Sequence, residues 1–368
     1  MQKPIDRRDF LKLSAATGAT LAAASSQAMA AGGKVNQKTI PVCDTHLHLW
    51  DLEKFNLPWL SNDGVQSISH SYVMKDYLKA TAMQNVAKAV YMEVNVAPEL
   101  QTKEAEYVLA LCKRDDNPMV GAVIGGSPQS SEFKAYIENF AGNAHLKGVR
   151  TVLHDADRPK GMCLEHQFVE NIKMLGKNGL RYDLCMRPDD LLDGAKLAEK
   201  CPETKFVLDH CGNLSVQNED ADLRAKWEQG IKELAALPNV MCKISGIIVT
   251  VDRENWSASD LAPNMDFCMD TFGEDRVMFA GDWPVCTLTA PFGGWLGALK
   301  EVVKGRSKRF QHKLFHDNAF DNNCPAYGPR LAIIRHNRMH GAYELVFVLV
   351  NQLPRLIQPF DDLLILDT

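Results

Sequence analysis

Eight short apolar runs recur along the chain, at about residues 40–50, 87–93, 119–124, 146–150, 180–186, 205–210, 240–245 and 276–282. Each run after the first is followed by a stretch with helical spacing: 98–114, 131–140, 165–176, 188–200, 221–237, 264–272 and 295–304. A long connection, 51–85, follows the first. Near-continuous apolar strands are those buried on both faces of a parallel sheet. Parallel neighbours need crossovers, and these are right-handed. Eight such units in about 270 residues match a closed (β/α)8 TIM barrel of the α/β class. An open doubly wound sheet is the alternative. No glycine fingerprint follows the first strand, so nucleotide binding has no support.

In a barrel of this kind the functional site lies at the C-terminal ends of the strands. Those ends carry Asp44, His46, His48, Glu93, Arg150, Tyr182, Asp183, His210, Lys243, Ser245 and Asp282. Residues this polar are rarely buried without partners. His46 and His48 alternate on one strand and so leave the same face, presenting half of a site for zinc or a similar divalent ion. Phe55 to Leu60, which includes Trp59, is too aromatic for a plain linker. Lining a pocket and clamping the loop down are equally open to it.

The N-terminus reads as a targeting segment, residues 1–30. Arg7-Arg8-Asp9-Phe10-Leu11-Lys12 precedes an Ala-rich run that ends in Ala28-Met29-Ala30, which resembles the twin-arginine export signal of bacteria. Cleavage is expected after Ala30, with 31–38 a short linker and 39–320 the barrel. The implied destination is the periplasm or beyond, and the export machinery is one expected partner. Ten cysteines would permit disulfides in that compartment. Cys43, Cys185, Cys211 and Cys242 instead fall in or beside core strands, where Cys behaves as a small apolar residue. A chain exported after folding in a reducing cytoplasm can keep such thiols free. The net charge of −5, with no basic cluster, argues against nucleic acid. The atypical tail, 321–368, is apolar from Tyr343 to Ile357 but too broken by polar residues and Pro354 for a membrane span. Packing on the barrel and self-association into a homo-oligomer are its open readings.

Five motifs stand at the strand ends: Asp44-Thr-His46-Leu-His48-Leu-Trp50, Lys147-Gly148-Val149-Arg150, Leu208-Asp209-His210-Cys211-Gly212, Lys243-Ile244-Ser245-Gly246 and Gly281-Asp282-Trp283-Pro284. In these, over roughly residues 38 to 320, the sequence resembles the amidohydrolase-related TIM-barrel family, in its lactonase branch, which opens sugar lactones and 2-pyrone-4,6-dicarboxylate. Strand 5 departs from the family, ending in Tyr182-Asp183 with neither a metal-bridging lysine nor a histidine; a two-metal site is therefore not expected. The resemblance implies lactone hydrolysis with one divalent metal, or without any metal as in the pyrone branch.

The expected roles follow. His46, His48 and His210 polarise the ester carbonyl, through one ion or directly. Asp282 takes a proton from the attacking water and returns it to the leaving oxygen. Glu93 is a further ligand candidate, beside His46, His48, His210 and Asp282. Arg150, whose planar fork suits anions, is placed on substrate or in a structural ion pair. Tyr182, Asn213, Lys243, Trp59 and Trp283 are the remaining substrate-binding candidates. Lys243 and Ser245 are expected to point one into the barrel and one out. A metal-dependent decarboxylase of the same superfamily is the rival enzyme reading, and a non-catalytic sugar-acid binder is the rival outside catalysis.

Overall fold

The computed structural model describes residues 40–320 without interruption, together with strands at 331–337, 343–349 and 363–364. The export segment with its expected cleavage point, the 31–38 linker and the rest of the tail lie outside the described residues. Eight parallel strands are hydrogen-bonded in chain order: β1 (Val42–Leu47), β2 (Val86–Met92), β3 (Met119–Gly125), β4 (Leu146–Val152), β5 (Arg181–Cys185), β6 (Phe206–Leu208), β7 (Val240–Ile244) and β8 (Val277–Phe279). The ring closes between its first and last members. Leu47 pairs with Trp283, the Asp282 amide donates to the His46 carbonyl at 2.8 Å, and the His48 amide donates to the Trp283 carbonyl at 2.8 Å.

One helix follows each strand: α1 (Met74–Thr81), α2 (Gln101–Leu111), α3 (Phe133–Glu138), α4 (His166–Lys177), α5 (Leu191–Lys200), α6 (Ala221–Ala236), α7 (Ala258–Phe272) and α8 (Phe292–Val302). A short α9 (Lys308–His312) ends the barrel. Beyond it, β9 (Leu331–Asn337) pairs antiparallel with β10 (Tyr343–Leu349) and β11 (Leu363–Leu364).

Strand side chains alternate, and the sheet thereby serves two layers. One set packs outward against the helices in a large apolar core containing Tyr91, Tyr182, Phe206 and Phe279. The other set includes a small cluster of Val90, Met92, Val123, Val207, Met241 and Met278. Farther along the same alternation stand Asp209, two positions from Val207, and Lys243, two from Met241.

Two elements differ from the sequence expectation. α1 sits inside what reads as a long connection; it is only two turns long, and its start is marked by Asp76, which accepts the Val73 amide at 3.0 Å. α7 begins at Ala258 rather than near 264. Ser257 and Asp260 form a capping box there, and Pro263 lies within the helix, where proline ordinarily reads as a boundary.

Candidate active site

β1 brings His46 and His48 to the same face at its C-terminal end, with their Nε2 atoms 3.1 Å apart. Asp282 arrives from the end of β8 with a left-handed φ of 51°. Its Oδ1 lies 3.3 Å from His48 Nε2 and 3.7 Å from His46 Nε2. A left-handed non-glycine residue costs roughly 1–2 kcal/mol, and here the Asp282 amide is held by the His46 carbonyl. Below them Asp44 ties β1 to β8: its Oδ1 accepts the Gly281 and His46 amides at 2.7 and 3.1 Å, and its Oδ2 accepts the Tyr77 hydroxyl at 2.8 Å. Gly281 is required at this join, because a Cβ there would stand 2.6 Å from Asp44 Oδ2.

Hydrogen bonds orient both rings. His48 Nδ1 faces the Met92 carbonyl at 3.0 Å. A carbonyl only accepts, so Nδ1 donates a proton to it, which turns Nε2 toward His46. His46 Nε2 faces Arg150 Nη1 at 3.2 Å, and a guanidinium only donates. His46 Nδ1 stands 3.4 Å from Lys243 Nζ and 3.5 Å from Asp209 Oδ1. Burial pushes the His46 pKa well below its ordinary value; Asp209 opposes this, while Lys243 and His210 reinforce it. His46 is neutral.

A buried charge layer supports the histidines. Lys243 Nζ donates to Asp183 Oδ2 at 2.5 Å and to Asp209 Oδ1 at 3.0 Å, all three fully buried. Burial works to raise the Asp209 pKa, but the Lys243 ammonium and then His46 outweigh it and hold the carboxylate well below its usual range. Arg150 Nε donates to Glu93 Oε1 at 2.6 Å and Nη2 to the Glu93 carbonyl at 2.7 Å, leaving Nη1 aimed at His46.

His210 opens a run of four consecutive left-handed residues through Asn213. The run turns the chain sharply off β6 and aims the ring back over β1, with centroids 4.5 Å from His46. Its Nδ1 pairs with Ser245 Oγ at 2.9 Å. Burial lowers the His210 pKa, against the pull of Asp282 and Asp209. Above these groups opens a cavity of about 330 Å³. His48, Arg150, His210 and Asp282 reach it, with Trp59 and Asn213 in its wall.

Several expected site residues stand elsewhere. Tyr182 points outward, between Phe168 and Phe206, because it is one position off the inward-facing Asp183. Trp283 is 3% exposed and packs on Tyr72 and Tyr77. Lys243 lies under the histidines rather than in the cavity wall. Ser245 shares its face instead of opposing it, since residues two apart on a strand point the same way. Glu93 is engaged away from the histidines: Oε1 holds Arg150, and Oε2 accepts the Asn95 amide at 2.7 Å. Sequence reasoning missed the support role of Asp209 and the cavity residues His154, Asp155 and Asn95. His154 was findable, four positions beyond Arg150 and so on the same alternating face.

The donor set fits a divalent ion. Two imidazole Nε2 atoms and a carboxylate oxygen converge at 3.1–3.7 Å. Ligand nitrogens about 2.0–2.1 Å from a tetrahedral zinc would stand about 3.3 Å apart.

A family model for amidohydrolases matches residues 43–321. The chain belongs to the amidohydrolase family. A second model, for the twin-arginine translocation pathway signal sequence, matches residues 4–24. This amidohydrolase is thus a hydrolase with an export signal, and no helix among its described residues is long and apolar enough to cross a membrane. It is 29% identical over 259 residues to an L-fucono-1,5-lactonase of Burkholderia multivorans, covering 68% of this chain and 84% of that one. It is 21% identical over 330 residues to an L-rhamnono-gamma-lactonase of Scheffersomyces stipitis, covering 76% and 97%. Among solved structures, a zinc-bound amidohydrolase from Burkholderia multivorans shares the fold, with a TM-score of 0.68, 24% identity and coverage of 76% and 97%.

Proposed function

We propose that this amidohydrolase opens the lactone of a sugar acid or of a carboxylated pyrone by water attack at the ester carbonyl. The observation that carries the reading is the Asp282 carboxylate within 3.3 and 3.7 Å of two imidazole nitrogens, at the floor of a small cavity. The two lactonases of similar sequence support the substrate class. The cavity lies at the lower end of the range for small-molecule sites, about 300–1,000 Å³, which suits a single ring.

His46, His48 and Asp282, with His210 beside them, would hold one divalent ion. Bound there, the ion would supply Lewis acidity to the lactone carbonyl. The Asp282 carboxylate accepts a proton from water as the oxygen adds to the carbonyl carbon. The developing oxyanion meets Arg150 Nη1 and the His210 ring, charge and dipole fixed in place by Glu93 and Ser245 before the reaction begins. Collapse breaks the ring C–O bond, and Asp282 returns its proton to the leaving oxygen. The product is one hydroxy acid.

The test is acid release from sugar lactones and pyrone dicarboxylates by the mature protein. Asp282→Asn is expected to lower kcat by about 10²–10⁴-fold, the usual worth of a positioned acid–base group. Carbon dioxide release in place of ring opening would transfer the site to decarboxylation. Tight ligand binding without turnover would make it a binding protein.

A further inference from the structure

At the end of the barrel opposite the cavity, α9 runs directly into a π-helical turn, Lys313–Asp317. Single π turns in helices concentrate at functional sites. Their i→i+5 bonds widen the turn, so that residues four and five positions on both stack over the first. In a regular α-helix the fifth would be rotated about 140° away. Here the turn brings His312, His316 and Asp317 to one face.

The geometry is that of a chelate. Asp317 Oδ2 accepts from His312 Nδ1 at 2.8 Å, and Oδ1 from His316 Nδ1 at 2.9 Å. The two rings lie 5.6 Å apart, and one ligand atom from each of the three residues lies within 4.8 Å of the others. The side chains are 45%, 27% and 39% exposed, so an ion can reach them. The backbone beneath is fixed. Leu314 and Phe315 are buried, and Asn318 Nδ2 donates to the Glu274 and Val277 carbonyls at 2.8 and 2.7 Å. The neighbouring cations are engaged elsewhere: Arg309 with Glu274, and Lys313 with Glu274 and Asp275.

We propose that His312, His316 and Asp317 form a second site for a divalent transition metal of the zinc or copper class, separate from the hydrolytic centre. Two imidazoles and one carboxylate are the donors such ions prefer. An ionised carboxylate only accepts, so each Nδ1 now carries a proton. On binding, each ring moves that proton to Nε2 through water and offers the Nδ1 lone pair to the ion. No net proton is lost from a neutral pair. The bound ion would clip the chain just before it leaves the barrel.

The experiment is equilibrium dialysis of zinc chloride against the chelator-stripped mature protein, compared with the His312→Asn/His316→Asn variant. The asparagine amides can still hydrogen-bond Asp317, which protects the local fold. The wild type is expected to bind one more zinc per chain than the variant, with affinity for that equivalent reduced at least tenfold in the latter. Equal stoichiometry and affinity would overturn the proposal. Should that variant not fold, Asp317→Asn, whose amide can still hydrogen-bond the rings, is dialysed in its place. Loss of the extra zinc equivalent supports the site, and its retention with unchanged affinity overturns it.

Discussion

Glu104 shows how one side chain can carry the pH dependence of a fold. It is buried on α2, and its Oε1 accepts both the Tyr91 hydroxyl and the Val94 amide at 2.8 Å. Its Oε2 has no hydrogen-bond partner among the described residues. Burial, and then the charge of Glu93, push its pKa up to about 8 from an ordinary 4.5. The folded state therefore binds this proton more tightly than the unfolded one, and stability falls as pH rises from 4.5 through 8. Between pH 6.5 and 8.5 the loss is expected to be about 2 kcal/mol. Glu104→Gln keeps the acceptor and replaces the protonated oxygen with an amide, so it should remove that slope. Urea midpoints of the two proteins across this range provide the check, and parallel curves would exclude Glu104 as the source. No pattern in the sequence announces this residue: its partners lie 10 and 13 positions away, at the end of another element.

The turn that leaves β7 is the element on which the His210 geometry rests. Gly246 has φ of +72°, and a Cβ there would stand 2.4 Å from His210 Cγ, against a ring locked to Ser245. Gly246→Ala would strain the backbone and push the imidazole off β1. A loss of about 1–3 kcal/mol in stability is expected, with activity reduced by at least tenfold; denaturation and lactone hydrolysis measured on the same preparation test both. Elements of this kind mark the boundary of what sequence reading reached. The His-x-His pair, Arg150, His210 and Asp282 were legible, because period-two alternation and strand ends point to them. Tyr182 and Asp183 are adjacent, and a one-residue choice of register separates a core ring from a buried carboxylate. The partnership of Lys243 with Asp183 spans 60 positions and exists only once β5 and β7 stand on the same ring.

For the whole molecule, the repeating pattern gave the barrel, since eight two-sided strands have few other ways to be covered. It also bears on thiol chemistry. Nine cysteines are free and buried, and the tenth, Cys324, lies outside the described residues. In the native protein those nine should resist a thiol-reactive disulfide reagent for as long as the barrel stays folded, and all should react in guanidinium. Rapid native labelling of two or more would show that the barrel opens readily. The seam between β1 and β8 has a consequence for how such a molecule comes into being. Asp282, the proposed base, and the pair His46 and His48 are separated by more than 230 positions, and the peptide groups that zip the ring shut belong to those same residues and Trp283. On the proposed mechanism, a nascent chain that has reached only β7 already owns both imidazoles yet lacks the carboxylate that would activate water. Chemistry would then switch on with the last stave, and a hydrolase destined for another compartment would stay inert until its assembly is finished.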